Sequence, residues 1–216
     1  MTLTQDLINL RNQLVANHPD DIKATMNQAT QELLNSNIIE QTLKVGEQVP
    51  DFTLPNAVEK TVELQELLKA GPVVISFYRG QWGPYCNLEL RTLQQYLPLI
   101  QEQGANLVAI SPQTPDNSLS TIEKNELTFE VLSDVGNQVA RKFGLVFTLP
   151  KQLRPIYEGF GINLPAHNGD ETYELPIAAT YIIDRKGKVA YCFVDSDYTK
   201  RLDPEIIVQT LSKLAS

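Results

Sequence analysis

The stretch Val73-Val74-Ile75-Ser76-Phe77-Tyr78-Arg79-Gly80-Gln81-Trp82-Gly83-Pro84-Tyr85-Cys86-Asn87-Leu88-Glu89-Leu90 decides the fold of this chain. Its first six residues are a largely apolar, β-branched run, the pattern of a central strand buried on both faces of a parallel sheet. Residues 79–86 suit neither strand nor helix, because Gly80, Gly83 and Pro84 break any regular pattern; they read as a shaped loop. Leu88, Leu90, Leu93, Tyr96, Leu97 and Ile100 then mark a helix that ends at Gly104. Strand, tight loop and helix place Cys86 in the first helical turn. That turn lies outside the carboxyl end of a strand, where open α/β sheets carry their sites.

Downstream, residues 105–111 read as a second apolar strand and 129–132 as a third. Between them, Ser120 and Glu123 have the spacing of a capping box and predict a helix start. A further helix begins over 139–143 and ends at Gly144. Residues 148–174 are rich in Pro and Gly and read as a long loop carrying His167. Strands are expected at 179–183 and 189–194, joined by the turn Asp184-Arg185-Lys186-Gly187. Asp203-Pro204-Glu205 opens the last helix.

Upstream, residues 61–69 read as a short helix ended by Gly71-Pro72. Leu3, Leu7, Leu10 and Leu14, then Ile22, Met26, Ala29 and Leu33, predict two amphipathic helices broken at His18-Pro19-Asp20-Asp21. His18 is expected in an exposed loop. Alternating strands and helices imply an α/β fold with a mostly parallel central sheet, a C-terminal β-hairpin adding an antiparallel edge, and helices on both faces. The expected division is an N-terminal helical extension, 1–43, and one domain, 44–216. The apolar faces of the first two helices would serve either a homodimer interface or packing on their own domain.

The net charge of −8, from 18 basic and 26 acidic residues in 216, disfavours a phosphate-backbone partner, so no nucleic acid is expected. No stretch approaches a membrane span, and residues 1–14 lack the apolar core of a signal peptide, so a cytoplasmic protein is expected. Cys86, Cys192, His18 and His167 share no ligand spacing, so neither a metal site nor a cofactor is expected.

The candidate chemistry is therefore that of a thiol. A free thiol with a pKa of about 8.5 is only about 3% ionised at pH 7, and the thiolate is the nucleophile. The unpaired amides and dipole of a helix start favour an anion by only about 0.3–2 kcal/mol, so a second contributor is required. Arg79 is the nearest candidate in sequence. Cys192, centred in Ala190-Tyr191-Cys192-Phe193-Val194, reads as buried core.

These features together resemble the peroxiredoxin-like branch of the alkyl hydroperoxide reductase/thiol-specific antioxidant family, within the thioredoxin-fold superfamily. The resemblance covers residues 44–215. It rests on Gly46 with Pro50-Asp51-Phe52-Thr53-Leu54, the block from Phe77-Tyr78-Arg79-Gly80 to Cys86-Asn87-Leu88-Glu89-Leu90, Ser111-Pro112-Gln113, Leu132-Ser133-Asp134 and Ala179-Thr180-Tyr181-Ile182-Ile183-Asp184. The N-terminal helices and the segment from Phe193-Val194-Asp195 to Asp197-Tyr198-Thr199 are similar to this branch specifically.

The resemblance implies a thioredoxin-like fold. It implies that Cys86 is the peroxidatic thiol of a peroxidase acting on hydrogen peroxide or organic hydroperoxides through a sulfenic acid. An external thiol (thioredoxin, glutaredoxin or glutathione) would regenerate it. Arg79, Trp82, Gly83, Pro84 and Tyr85 form the supporting loop, and Glu89 matches an acidic position common in the family. Three positions depart from typical members. Arg79 replaces a proline. Gly83 stands where a hydroxyl residue, or in this branch a second cysteine, would be. Ala178 stands where an activating arginine would be, which leaves Arg79 or Arg91 to substitute. The alternatives are a thioredoxin-fold thiol sensor without efficient turnover and a disulfide oxidoreductase whose first motif cysteine is replaced by Gly83.

Overall fold

The computed structural model describes residues 2–215. The chain runs through α1 (Leu3–Ala16), α2 (Asp20–Asn35), β1 (Thr53–Pro55), β2 (Thr61–Glu63), α3 (Leu64–Ala70), β3 (Val73–Phe77) and α4 (Pro84–Glu102). It continues with β4 (Asn106–Ser111), α5 (Pro115–Asn125), β5 (Glu130–Ser133), α6 (Gln138–Lys142), β6 (Val146–Thr148), α7 (Arg154–Gly159) and α8 (Leu164–Asn168). It ends with β7 (Glu174–Pro176), β8 (Ala179–Ile183), β9 (Val189–Val194) and α9 (Pro204–Ala215).

The central sheet has the order β5-β4-β3-β8-β9. The pairs β3–β4 and β4–β5 are parallel, while β3–β8 and β8–β9 are antiparallel. The late hairpin therefore adds two strands, not only an edge. All five residues of β3 are buried, as its continuous apolar run requires.

Side-chain alternation divides the core into two faces. Ile75, Phe77, Tyr181, Phe143 and Leu64 pack on one side. Val74, Tyr78, Leu90, Leu93, Leu97, Ile207 and Leu211 pack on the other, under α4 and α9. Leu90, Leu93, Leu97 and Ile100 recur at helical spacing and bury one stripe of α4 against the sheet.

The N-terminal helices pack on their own chain. Leu3 and Leu7 of α1 meet Tyr85 at the start of α4. Ala29 of α2 meets Leu149, Leu153 and Tyr157. Both helices thus border the loop that carries Cys86.

Three local expectations change. Thr61-Val62-Glu63 is a strand ahead of α3, because Val62 alone turns inward while Thr61 and Glu63 stay exposed. α5 starts at Pro115, with Thr114 as N-cap, so Ser120 lies inside the helix and bonds back to the Asp116 carbonyl at 3.1 Å. Proline at the first turn marks this start better than the serine does. Residues 148–174 are not one long loop. They hold α7 and α8, and β6 pairs with β7 around them. Among the described residues, no helix is long and apolar enough to cross a membrane.

Candidate active site

Cys86 is the third residue of α4, with Gly83 as N-cap and Pro84 at the first helical position. The first i→i−4 bond of the helix runs from the Asn87 amide to the Gly83 carbonyl at 3.0 Å. The amides of Tyr85 and Cys86 precede it and belong to the orphan donors of a helix start, where an anion is favoured. Cys86 is only 3% exposed.

The loop before the helix is held by amide side chains. The Gln81 amide donates to Gln113 Oε1 at 2.9 Å. The Gln81 carbonyl accepts from Asn87 Nδ2 at 2.7 Å. Asn87 Oδ1 in turn accepts from Asn125 at 3.0 Å, and Asn125 Oδ1 accepts from Arg91 at 3.1 Å. Gly80 is needed here: a Cβ on it would sit 2.3 Å from Trp82 Nε1, so the indole lies directly on its backbone. Trp82 meets Tyr157 edge-on at 5.5 Å. Tyr85, buried, turns its ring edge-on to Tyr198 at 5.6 Å.

The group that addresses the sulfur is Arg201. Its Nη2 donates to Cys86 Sγ at 3.3 Å. Its Nε donates to Glu89 Oε2 at 2.5 Å, and its Nη1 donates to the carbonyls of Tyr198 and Lys200, both at 2.7 Å. Four of its five donors are thus committed, which fixes the guanidinium plane. Cys86 and Glu89 lie three residues apart, on one face of α4, so one guanidinium reaches both.

Glu89 is 1% exposed and Arg201 5%. Burial pushes the Glu89 carboxyl up, and Arg201 and Ser76 pull it back. Burial works against the Arg201 charge, but Glu89 and Cys86 outweigh it, and its pKa is raised. Arg201 is a firm cation beside the sulfur.

Neither Arg79 nor Arg91 donates a hydrogen bond to the sulfur, although Cys86 helps to raise the Arg79 pKa against the burial that lowers it. Arg91 is spent on Asn125. Arg79 is buried but makes no hydrogen bond to Cys86; its guanidinium lies over the rings of Phe147 (4.8 Å) and Tyr198 (5.4 Å). Arg201 escaped sequence reasoning although the segment up to Thr199, two residues earlier, had stood out.

The other candidates fall away from the sulfur. Cys192 packs on the Ile75–Tyr181 face, while Cys86 packs on the Val74–Leu90 face, so the sheet separates them. Cys192 is half-buried rather than buried, because β9 is the edge strand. His167 faces Asn117 Oδ1 at 3.3 Å. His18 is not free in a loop: it stacks on Phe160 at 4.9 Å. Among the described residues no group of three His, Cys, Asp or Glu side chains could hold a metal ion.

The family model described as AhpC/TSA matches residues 45–192. A putative peroxiredoxin bcp from Haemophilus influenzae is 38% identical over 103 residues, 48% of this chain and 66% of that protein. The putative peroxiredoxin bcp from Buchnera aphidicola is 34% identical over 104 residues, 48% of this chain and 65% of that protein. Just under two thirds of each of these relatives is therefore matched. The solved structure of peroxidoxin BcpB from Mycobacterium tuberculosis superposes with a TM-score of 0.64 at 24% identity, covering 81% of this chain and 99% of that one. The architecture is thus the thioredoxin-like fold of peroxiredoxins.

Proposed function

From the premise that this chain belongs to the AhpC/TSA family, with the thioredoxin-like fold of peroxiredoxins, we propose that it is a thiol peroxidase whose nucleophile is Cys86. The observation that carries this reading is the Arg201 guanidinium, held by Glu89 and two carbonyls with one edge on the Cys86 sulfur.

In the proposed step the Cys86 thiolate attacks the terminal, hydrogen-bearing oxygen of the peroxide. An S–O bond forms and the O–O bond breaks. The electron pair leaves on the other oxygen, which takes a proton and departs as alcohol or water. Sulfur loses two electrons and becomes a sulfenic acid. Arg201 donates a hydrogen bond to the sulfur and offers positive charge to the departing oxygen, where charge develops.

The resolving thiol comes from outside the chain. Gly83 supplies none, and Cys192 lies across the sheet. One reductant thiol condenses with the sulfenic acid, releasing water; a second displaces Cys86 and leaves as the oxidised reductant. Thioredoxin, glutaredoxin or glutathione supplies this chemistry, and a cytoplasmic setting keeps such thiols reduced.

The test is a single turnover. Reduced protein should consume one equivalent of hydrogen peroxide and yield a dimedone adduct on Cys86. A second-order rate no faster than that of free cysteine would refute the reading.

A further inference from the structure

The helices α1 and α2 lie outside the family match, which begins at residue 45. They are nevertheless built into the site. Leu3 and Leu7 of α1 are buried against Tyr85, the residue before Cys86. Ala29 of α2 is buried against Leu149, Leu153 and Tyr157. Arg11 of α1 reaches Asp197 at 4.0 Å, on the segment that leads to Arg201. The pair is thus pinned at several points around the Cys86 loop.

Between the pair and that loop lies a cleft of about 480 Å³, with Leu14, Met26 and Leu34 on one wall and Trp82, Gly83 and Cys86 on the other. Cys86 is only 3% exposed, and this cleft is the space its side chain borders. A peroxide is small enough to enter it. The resolving thiol makes a harder demand, because joining its sulfur to Cys86 brings two cysteine Cα atoms to about 4.4–6.8 Å. A thiol borne on a folded protein must then bring its backbone, and the structure beside it, into the cleft. A sphere of the cleft's volume is roughly 10 Å across, no wider than one α-helix with its side chains, about 10–12 Å. An extended tripeptide is about 10 Å long and much slimmer.

We propose that the α1–α2 pair is a size filter on the resolving step. It admits a thiol on a carrier of tripeptide size or smaller and shuts out a thiol on a folded surface, such as that of thioredoxin. The chemistry is unchanged: the thiol sulfur bonds to the Cys86 sulfur, the sulfenic oxygen leaves as water, and a second thiol displaces Cys86 and carries off the disulfide. That role rests on the peroxidase reading; the filter itself acts on any thiol approaching Cys86 and is testable without peroxide.

The test starts from Cys192→Ser protein whose Cys86 carries a methylthio cap, placed with methyl methanethiosulfonate. Loss of the cap to glutathione and to reduced thioredoxin is followed by mass. Each rate is divided by that of the same reagent on a capped synthetic peptide of residues 81–91, which removes intrinsic reactivity. Minor open states of proteins are populated at about 0.1–10%, so relative to the peptide thioredoxin should slow by about 10- to 1,000-fold while glutathione stays within about threefold. Ala29→Trp, whose indole does not fit between α2 and Leu149, Leu153 and Tyr157, should lift α2 and restore at least about tenfold of the thioredoxin rate, with glutathione little changed. The double variant Leu3→Ala/Leu7→Ala loosens α1 by the milder route of lost contacts and should shift the thioredoxin rate the same way.

Thioredoxin that keeps its peptide rate on the unaltered fold would overturn the proposal. So would equal slowing of both reagents, which would show burial without selection by size. Loosened variants that fold and still exclude thioredoxin would assign the exclusion to another element and likewise overturn it. In turnover with hydrogen peroxide, glutathione should recycle Cys86 and thioredoxin should not. Absence of reaction with every peroxide would instead strike the peroxidase reading and leave the cap-removal result intact.

Discussion

Arg201→Gln is the perturbation on which the site reasoning can be broken. The bond from Nη2 to Cys86 Sγ is 3.3 Å long and has a charged donor. Hydrogen bonds to charged groups contribute about 1.5–3 kcal/mol, and each ~1.36 kcal/mol of barrier is a factor of ten. The peroxide reaction should therefore slow by about 10- to 150-fold, on the same two relations.

The single variant has a second effect. Glu89, 1% exposed, loses the cation it pairs with. Breaking one side of a buried pair costs about 3–5 kcal/mol, against a typical total stability of about 5–15. Slowness in the single variant therefore mixes a lost guanidinium with a loosened fold, and the double variant Glu89→Gln/Arg201→Gln separates the two by taking away both charges. Its midpoint in urea should recover a large part of the loss, while its single-turnover rate with hydrogen peroxide should remain as slow as that of Arg201→Gln. A double variant that folds and reacts within about twofold of the unaltered protein would show that the guanidinium does nothing for the sulfur, and the mechanism would fall.

A Cβ placed on Gly83 would lie 3.2 Å from Cys86 Sγ, close to the roughly 3 Å that a disulfide requires between one Cβ and the opposing sulfur, so Gly83→Cys should oxidise to a loop disulfide. Thiol counting after one equivalent of peroxide should then find Cys192 alone; a persistent sulfenic acid would refute the geometry. Cys192→Ser should leave turnover with an external thiol unchanged, and loss of recycling would refute the one-cysteine scheme. Burial, with Lys124 adding to it, lowers the His167 pKa below 6.5. Above that value both folded and unfolded states are neutral there; below it the unfolded chain binds the proton more readily, so stability declines as pH falls toward the folded pKa. His167→Gln should flatten the stability profile below about pH 6.5, and an unchanged slope in urea titrations would contradict the assignment.

Much of the fold is local enough to read from sequence. The strands at 179–183 and 189–194 stand where they are expected, on either side of the Asp-Arg-Lys-Gly turn. The motifs that made the chain recognisable also have visible structural work. Gln113 holds the Gln81 amide, and the Asp134 carboxylate accepts from the Val139 and Ala140 amides to start α6. Short elements were illegible where pairing decides them. β6 and β7 are three residues each and exist because they find one another across the intervening helices.

The site divides along the same line. Cys86 and Glu89 are legible because helical periodicity alone puts them on one face. Arg201 is not, because it comes from a loop between β9 and α9 that is 115 residues from Cys86 in sequence and meets it only once the sheet has formed. Ala178 looked like a lost activating group because the position was compared one residue at a time. What chemistry requires is a fixed cation at the sulfur, and a guanidinium anchored by Glu89 meets that requirement from any strand or loop that reaches it. The two buried arginines divide accordingly: Arg201 has a carboxylate partner and a hydrogen bond to the sulfur, whereas Arg79 has no carboxylate, lies over Phe147 and Tyr198, and meets Cys86 through its charge alone.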